Sequence, residues 1–220
     1  FPPQKRFNVT ARFQVIVTLK AGKNTIKLFN PVTSNADSEM YQYLRMGNAL
    51  KTATARVAEE RKQKEKPIVF SICEWGWGKP YNWGAKAGNL WRTTPDIRPW
   101  WWWIKLIYEH NVKLYKYASK GHYNDPDMLE VGNGKLTYNQ NVSHFSLWCM
   151  MNSPLILGND LRTMSDKVKE IVTNTNLIAI NQDSLAKQAK RVKKGTVDVL
   201  AKPLADGSTA LCFFNKSSHG

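Results

Sequence analysis

Three short segments between residues 67 and 129 set carboxylates beside aromatic, arginine or proline residues. The first is Pro67-Ile68-Val69-Phe70-Ser71-Ile72-Cys73-Glu74-Trp75-Gly76, an apolar run that breaks into Cys73, Glu74 and Trp75. The second is Trp91-Arg92-Thr93-Thr94-Pro95-Asp96-Ile97, and the third is Asn124-Asp125-Pro126-Asp127-Met128-Leu129. Carboxylates brought together in this way suit glycoside hydrolysis. One protonates the departing oxygen, and another attacks the sugar carbon or activates water through an oxocarbenium-like transition state. Nearby tryptophans offer flat apolar faces to sugar rings, and an arginine offers paired donors to hydroxyls and carboxylates. Spacing alone leaves other readings open. Asp96 equally fits a cap ahead of the helix near Pro99, Asp125 and Asp127 a turn around Pro126, Glu74 a loop ion pair, and Cys73 a buried thiol.

The elements that must position these residues follow from hydrophobic period. Residues 12–28 alternate as a β-hairpin around Ala21-Gly22-Lys23-Asn24. A helix is predicted over residues 38–61, capped by Ser38 and stopped by Pro67. Residues 67–73 read as a fully buried strand, 83–90 as a brief helical turn, and 90–94 as a second strand. Pro99 suits the first turn of the next helix, in which Trp100, Trp103 and Ile107 share a stripe and Trp101 or Trp102 meets solvent or a partner. A third strand is placed at 127–131, a helix at 137–151, a fourth strand at 154–158 and an amphipathic helix capped by Ser165. Beyond residue 185 the period is β again. Strand and helix thus alternate four times at roughly 25–35 residue spacing, the βα signature. Acidic residues follow the strands, where α/β barrels keep their active sites. No Gly-x-Gly-x-x-Gly or Walker motif is present. The favoured fold is half of a (β/α)₈ TIM barrel at 38–185, with the β-hairpin region before it at 1–37 and a β region after it at 186–220.

Composition narrows the function classes. The 220 residues are 42% hydrophobic and 22% charged, enough for one sizeable core. No apolar run approaches the roughly 20 residues that cross a bilayer, so no membrane role is expected. A net charge of +15 raises nucleic acid as a partner, but the lysines are dispersed and no nucleic-acid motif accompanies them. Cys73, Cys149 and Cys212 are far apart and odd in number, so they give neither a zinc spacing nor a disulfide framework and are expected as buried thiols. Phe1 leads directly into strand-like sequence without a signal-peptide pattern, and the chain stops just after the strand-like run 210–214. It is therefore expected to be part of something longer.

Cys73-Glu74-Trp75-Gly76, Gly88-Asn89-Leu90-Trp91-Arg92-Thr93-Thr94-Pro95-Asp96-Ile97 and Asn124-Asp125-Pro126-Asp127-Met128-Leu129 resemble the α-galactosidases (melibiases) of glycoside hydrolase family 27. The likeness continues through residues 154–161 and Ile178-Ala179-Ile180-Asn181-Gln182-Asp183. It implies a (β/α)₈ barrel of which this chain holds strands five to eight, followed by the start of a C-terminal antiparallel β domain, with the hairpin at 1–37 an insertion in the loop after strand four. It implies a retaining hydrolase for terminal α-linked galactose in oligosaccharides or galactans, without metal or organic cofactor. Asp96 would be the general acid/base, and Arg92 would contact the 2-hydroxyl and hold that acid. Cys73, Glu74 and Trp75 would shape the 2-hydroxyl side of the pocket, and Asp127 and Met128 the wall at strand seven. Related activities in the family are α-N-acetylgalactosaminidase and β-L-arabinopyranosidase, and a non-catalytic sugar-binding relic is a further alternative. Two departures stand out. Gly88 occupies the position where some animal relatives carry a cysteine partner for Cys73, so Cys73 should be free. No Lys-x-Asp, the family's nucleophile motif, occurs in the chain, and its place is expected before Phe1.

Overall fold

The computed structural model describes residues 35–217, with side chains from Glu39 onward. The hairpin expected at 12–28 lies outside the described residues. Helix α1 spans Asn35–Glu60. It begins ahead of Ser38, which is therefore inside the helix and not its cap. A Cβ on Gly47 would stand 2.0 Å from the Ala87 carbonyl oxygen, so glycine there lets α1 lie against helix α2 (Gly84–Ala87).

Strands β1 (Ser71–Ile72), β2 (Leu90–Arg92) and β3 (Tyr123–Asp125) form a parallel sheet in the order β1-β2-β3. The register sets Ile72 beside Trp91, and Arg92 beside Asp125. Three strand expectations are corrected here. Of residues 67–73 only the Ser71–Ile72 pair is strand, and Ile68 and Val69 are exposed. The reason is that β1 is the edge of the sheet among the described residues, with no neighbour on its outer side. The third strand lies at Tyr123–Asp125 instead of 127–131, because the polar Asn124 and Asp125 are buried strand residues. Asn124 accepts from the Trp91 indole N–H at 2.8 Å and donates to the Leu114 carbonyl and to Gln188, so its burial leaves no bond unmade. The fourth apolar run, 154–158, forms no regular strand. It is tied to the sheet region by a single parallel bridge, Leu129 to Leu157.

Helix α3 (Trp101–Asn111) starts after an extended Trp100, so Pro99 precedes the cap and is not in the first turn. Its inward face is Ile104, Ile107 and Tyr108, all with no exposed surface. Helix α4 (Tyr138–Met150) opens with a capping box: Thr137 accepts from Gln140 N, and the Gln140 side chain accepts from Thr137 N. Its Phe145, Trp148 and Cys149 fill the same core. Ser165 caps α5 (Asp166–Val172), and α6 (Thr175–Asn181) follows as a separate helix that periodicity did not resolve.

Strands β4 (Lys190–Lys193), β5 (Val197–Pro203) and β6 (Thr209–Asn215) make an antiparallel sheet in that order. Leu200 and Phe214 of this sheet join Tyr108 and Trp148 in one hydrophobic cluster. Asp198, with no exposed surface, accepts from the Tyr108 hydroxyl at 2.8 Å and pairs with Arg191 at 2.9 Å and Lys216 at 2.9 Å. Arg191 and Lys216 also reach Glu109 of α3. The sheet is thus bound to α3 by both apolar packing and a shared charge cluster.

Candidate active site

Arg92 closes β2 and is almost buried, at 8% exposure. Its Nη2 lies 3.1 Å from Asp96 Oδ1 and 2.6 Å from Asp127 Oδ2, and it also donates to the Thr94 carbonyl at 3.2 Å. One guanidinium nitrogen therefore joins the segment after β2 to the segment after β3. Its Nη1 faces Cys73 Sγ at 3.8 Å, which brings in the segment after β1. A cation at this junction offsets the repulsion that carboxylates on neighbouring strand ends would otherwise feel.

The two aspartates beside it differ in setting. The Asp96 side chain is half exposed, at 54%, while that of Asp127 is enclosed, at 10%. Asp127 adopts a left-handed backbone, φ 84°, and its carboxylate accepts from Ile97 N at 2.7 Å and Met128 N at 2.8 Å. Asp127 N in turn donates to Asp125 Oδ1 at 2.9 Å. These bonds fix a conformation that a non-glycine residue rarely takes, as strained backbone at functional sites requires. Asp96 is not the cap of α3: that position is Trp100, which makes no side-chain cap, and the Asp96 carbonyl instead accepts from the Trp103 indole N–H at 2.9 Å.

Asp125 stands behind this pair, and burial pushes its carboxyl up to about 6, although the Asp127 N–H and Arg92 pull the other way. Burial also pushes Glu74 up to about 7, and the neighbouring Glu39 carboxyl adds to the shift. Glu74 Oε2 accepts from Gly78 N at 2.5 Å, which is a loop-holding bond, not an ion pair. The loop turns through Trp75 (φ 60°) and Gly76 (φ 82°). A Cβ at Gly76 would lie 2.2 Å from the Thr93 carbonyl oxygen, so only glycine lets this loop rest on the Arg92 segment. Trp75 and Met128 are partly exposed, at 42% and 39%.

Cys73 is exposed and free, which corrects the expectation of three buried thiols; Cys149 is buried and Cys212 intermediate. It sits past the end of β1, held by Tyr43, whose hydroxyl donates to the Cys73 carbonyl at 2.9 Å. Burial raises its thiol, and Arg92 opposes that shift. All seven residues singled out from sequence thus follow the same ends of β1, β2 and β3. Tyr43 and Trp103 were not foreseen, since they act through side-chain bonds to backbone, Tyr43 to Cys73 and Trp103 to Asp96, that no local pattern records. Among the described residues no group of three or more histidine, cysteine or acidic side chains is arranged to hold a metal. The larger hollows lie elsewhere, one between α3, α4 and β6 and another lined by Tyr115, Leu185, Gln188 and Val192.

Residues 22–183 match the family model Melibiase_2, described as alpha galactosidase A. The chain belongs to the melibiase family, glycoside hydrolase family 27. Among curated melibiase relatives, alpha-galactosidase A of Cellvibrio japonicus is 43% identical over 179 residues, covering 76% of this chain and 44% of the relative. An alpha-galactosidase of Cyamopsis tetragonoloba is 46% identical over 154 residues, covering 70% of this chain and 38% of the relative. In three dimensions the chain is similar to alpha-galactosidase I of Mortierella vinacea, with a TM-score of 0.72 and 28% identity over 83% of this chain and 48% of that one. The chain thus spans less than half the length of the relatives it matches.

Proposed function

We propose that this chain carries the acid/base half of a retaining α-galactosidase that removes terminal α-linked galactose from oligosaccharides or galactans. Asp96 is the general acid/base: it is the accessible carboxyl of the cluster, and Arg92 orients it. Arg92, with Asp127 and Met128 on one side and Cys73, Glu74 and Trp75 on the other, forms the sugar-binding wall. Residues 38–185 are the C-terminal half of a (β/α)₈ barrel, 186–220 the start of a β domain, and 1–37 an inserted hairpin. This reading rests above all on Arg92 Nη2, which holds Asp96 and Asp127 together at the ends of adjacent parallel strands. Barrel enzymes build their sites at that end. Family membership supports the reaction class.

Double displacement needs a second carboxylate about 5 Å from the first. With no Lys-x-Asp in the sequence, that group comes from outside residues 1–220. The natural full-length protein should hydrolyse 4-nitrophenyl α-galactoside, and Asp96→Asn should lower kcat by about 10²–10⁴-fold. The 220-residue chain alone should turn over none. Turnover by that chain, lost on Asp96→Asn, would show that both carboxylates lie within it.

A further inference from the structure

Four consecutive tryptophans open α3 immediately after the Asp96 loop, and the mechanism above uses none of their outward surface. Trp101 packs edge-on against Phe214, at 6.0 Å between ring centres, and belongs to the core. Trp103 is anchored by its N–H to the Asp96 carbonyl. Trp100 and Trp102 are 52% and 58% exposed, which removes Trp100 from the buried stripe expected of it. Their rings stack nearly parallel, at 5.8 Å and 16°, and Trp102 meets Trp103 edge-on at 5.4 Å. A line of ring contacts thus runs from the Asp96 backbone through Trp103 and Trp102 to Trp100. The exposed Arg98 lies on the same loop.

We infer that the Trp100–Trp102 pair is a platform for pyranose rings on the leaving-group side of the substrate. This rests on the reading of Asp96 as the general acid. A general acid protonates the oxygen that departs, so the leaving group begins at Asp96 and the surface continuous with it is where the next sugar lies. A pyranose has an apolar C–H face and a hydroxyl rim. Stacked indoles match the first, and a guanidinium such as Arg98 matches the second. Because the two rings already brace each other, little side-chain freedom remains to be lost on binding. The platform therefore favours an oligosaccharide or galactan over a small galactoside.

The test compares kcat/KM for an α-galactosyl trisaccharide with that for methyl α-galactoside, in the natural full-length protein. In Trp100→Ala/Trp102→Ala the ratio of the two should fall about five- to tenfold. In Trp100→Phe/Trp102→Phe, which keeps flat rings, most of the ratio should return. The α3 core contacts are made by Ile104, Ile107 and Tyr108, so truncating the two exposed rings leaves that packing in place. An unchanged ratio with normal turnover of methyl α-galactoside would overturn the platform alone. An unchanged ratio with an altered oligomeric state would assign the patch, which Leu106 extends, to contact between copies. A wild-type protein that hydrolyses no α-galactoside would overturn the glycosidase reading, and the platform with it.

Discussion

Asp125, Asp127 and Asp96 are the same residue type within a few strand positions of one another, and their surroundings divide their duties. Asp96 is half exposed and Asp127 is consumed by backbone donors, while Asp125 is kept from water and holds its proton up to about 6. A carboxyl whose folded value is raised above the ordinary 3.8 binds its proton more tightly when folded, so stability declines as pH rises from about 4 to about 6 and stays lower above that. Asparagine keeps the oxygen that accepts from Asp127 N and removes the charge. Asp125→Asn should therefore melt at or above the wild-type temperature at pH 7, with a flatter profile between pH 4 and 6. Thermal melts at four pH values would check this. A variant that melts well below wild type at pH 7 would mean that attraction to Arg92 outweighs the burial of the charge.

Among the elements, the loop from Cys73 to Lys79 depends on one close approach. Gly76→Ala adds a Cβ at a left-handed φ and 2.2 Å from the Thr93 carbonyl oxygen. The expected cost is about 2 kcal/mol or more, read from urea unfolding, together with loss of activity as the loop lifts from Arg92. Element by element, the chain differs in how much of it could be read in advance. Helices α4 and α5 were legible because their caps, Thr137 and Ser165, and their 3.6-residue period are local signals. Strand β2 falls within the predicted 90–94 and the β period beyond residue 185 holds, but β1 and β3 were misjudged, since two or three residues are too few to show a period. β3 in particular reads as polar until Trp91, Leu114 and Gln188 are seen to satisfy Asn124. The candidate site residues were singled out through their resemblance to a family. That resemblance also implied the hold of Arg92 on Asp96, but not its link to Asp127, which depends on the register of β2 against β3.

Over the whole molecule, the antiparallel sheet is held to α3 by Asp198 and its partners. Burial by itself would raise the Asp198 carboxyl. The Gly195 N–H, Lys216, Arg191 and the Tyr108 hydroxyl together bring it down to about 2. A depressed carboxyl contributes stability that is present above its ordinary 3.8 and lost as pH falls toward about 2. Asp198→Ala leaves Arg191 and Lys216 facing the core with only Glu109 to share. The loss should be about 3 kcal/mol at neutral pH and should shrink as pH falls below 4, measured by denaturant unfolding at pH 7 and pH 3. A loss of equal size at both pH values would assign the effect to packing.

The bonds that build the site and those that fasten the sheet differ in how far they reach along the chain. Phe70 bonds to Asn89 across 19 residues, and Trp91 to Asn124 across 33. Tyr108 meets Asp198 across 90, and Glu109 meets Lys216 across 107. Short closures cost less chain entropy and can form first. A ribosome releasing this chain from its N-terminal side has delivered all the partners of Arg92 well before it delivers Lys216. The carboxylates of the site can therefore be gathered while the sheet that later secures α3 is still being synthesised. For that interval, the parallel strands must hold them without its help.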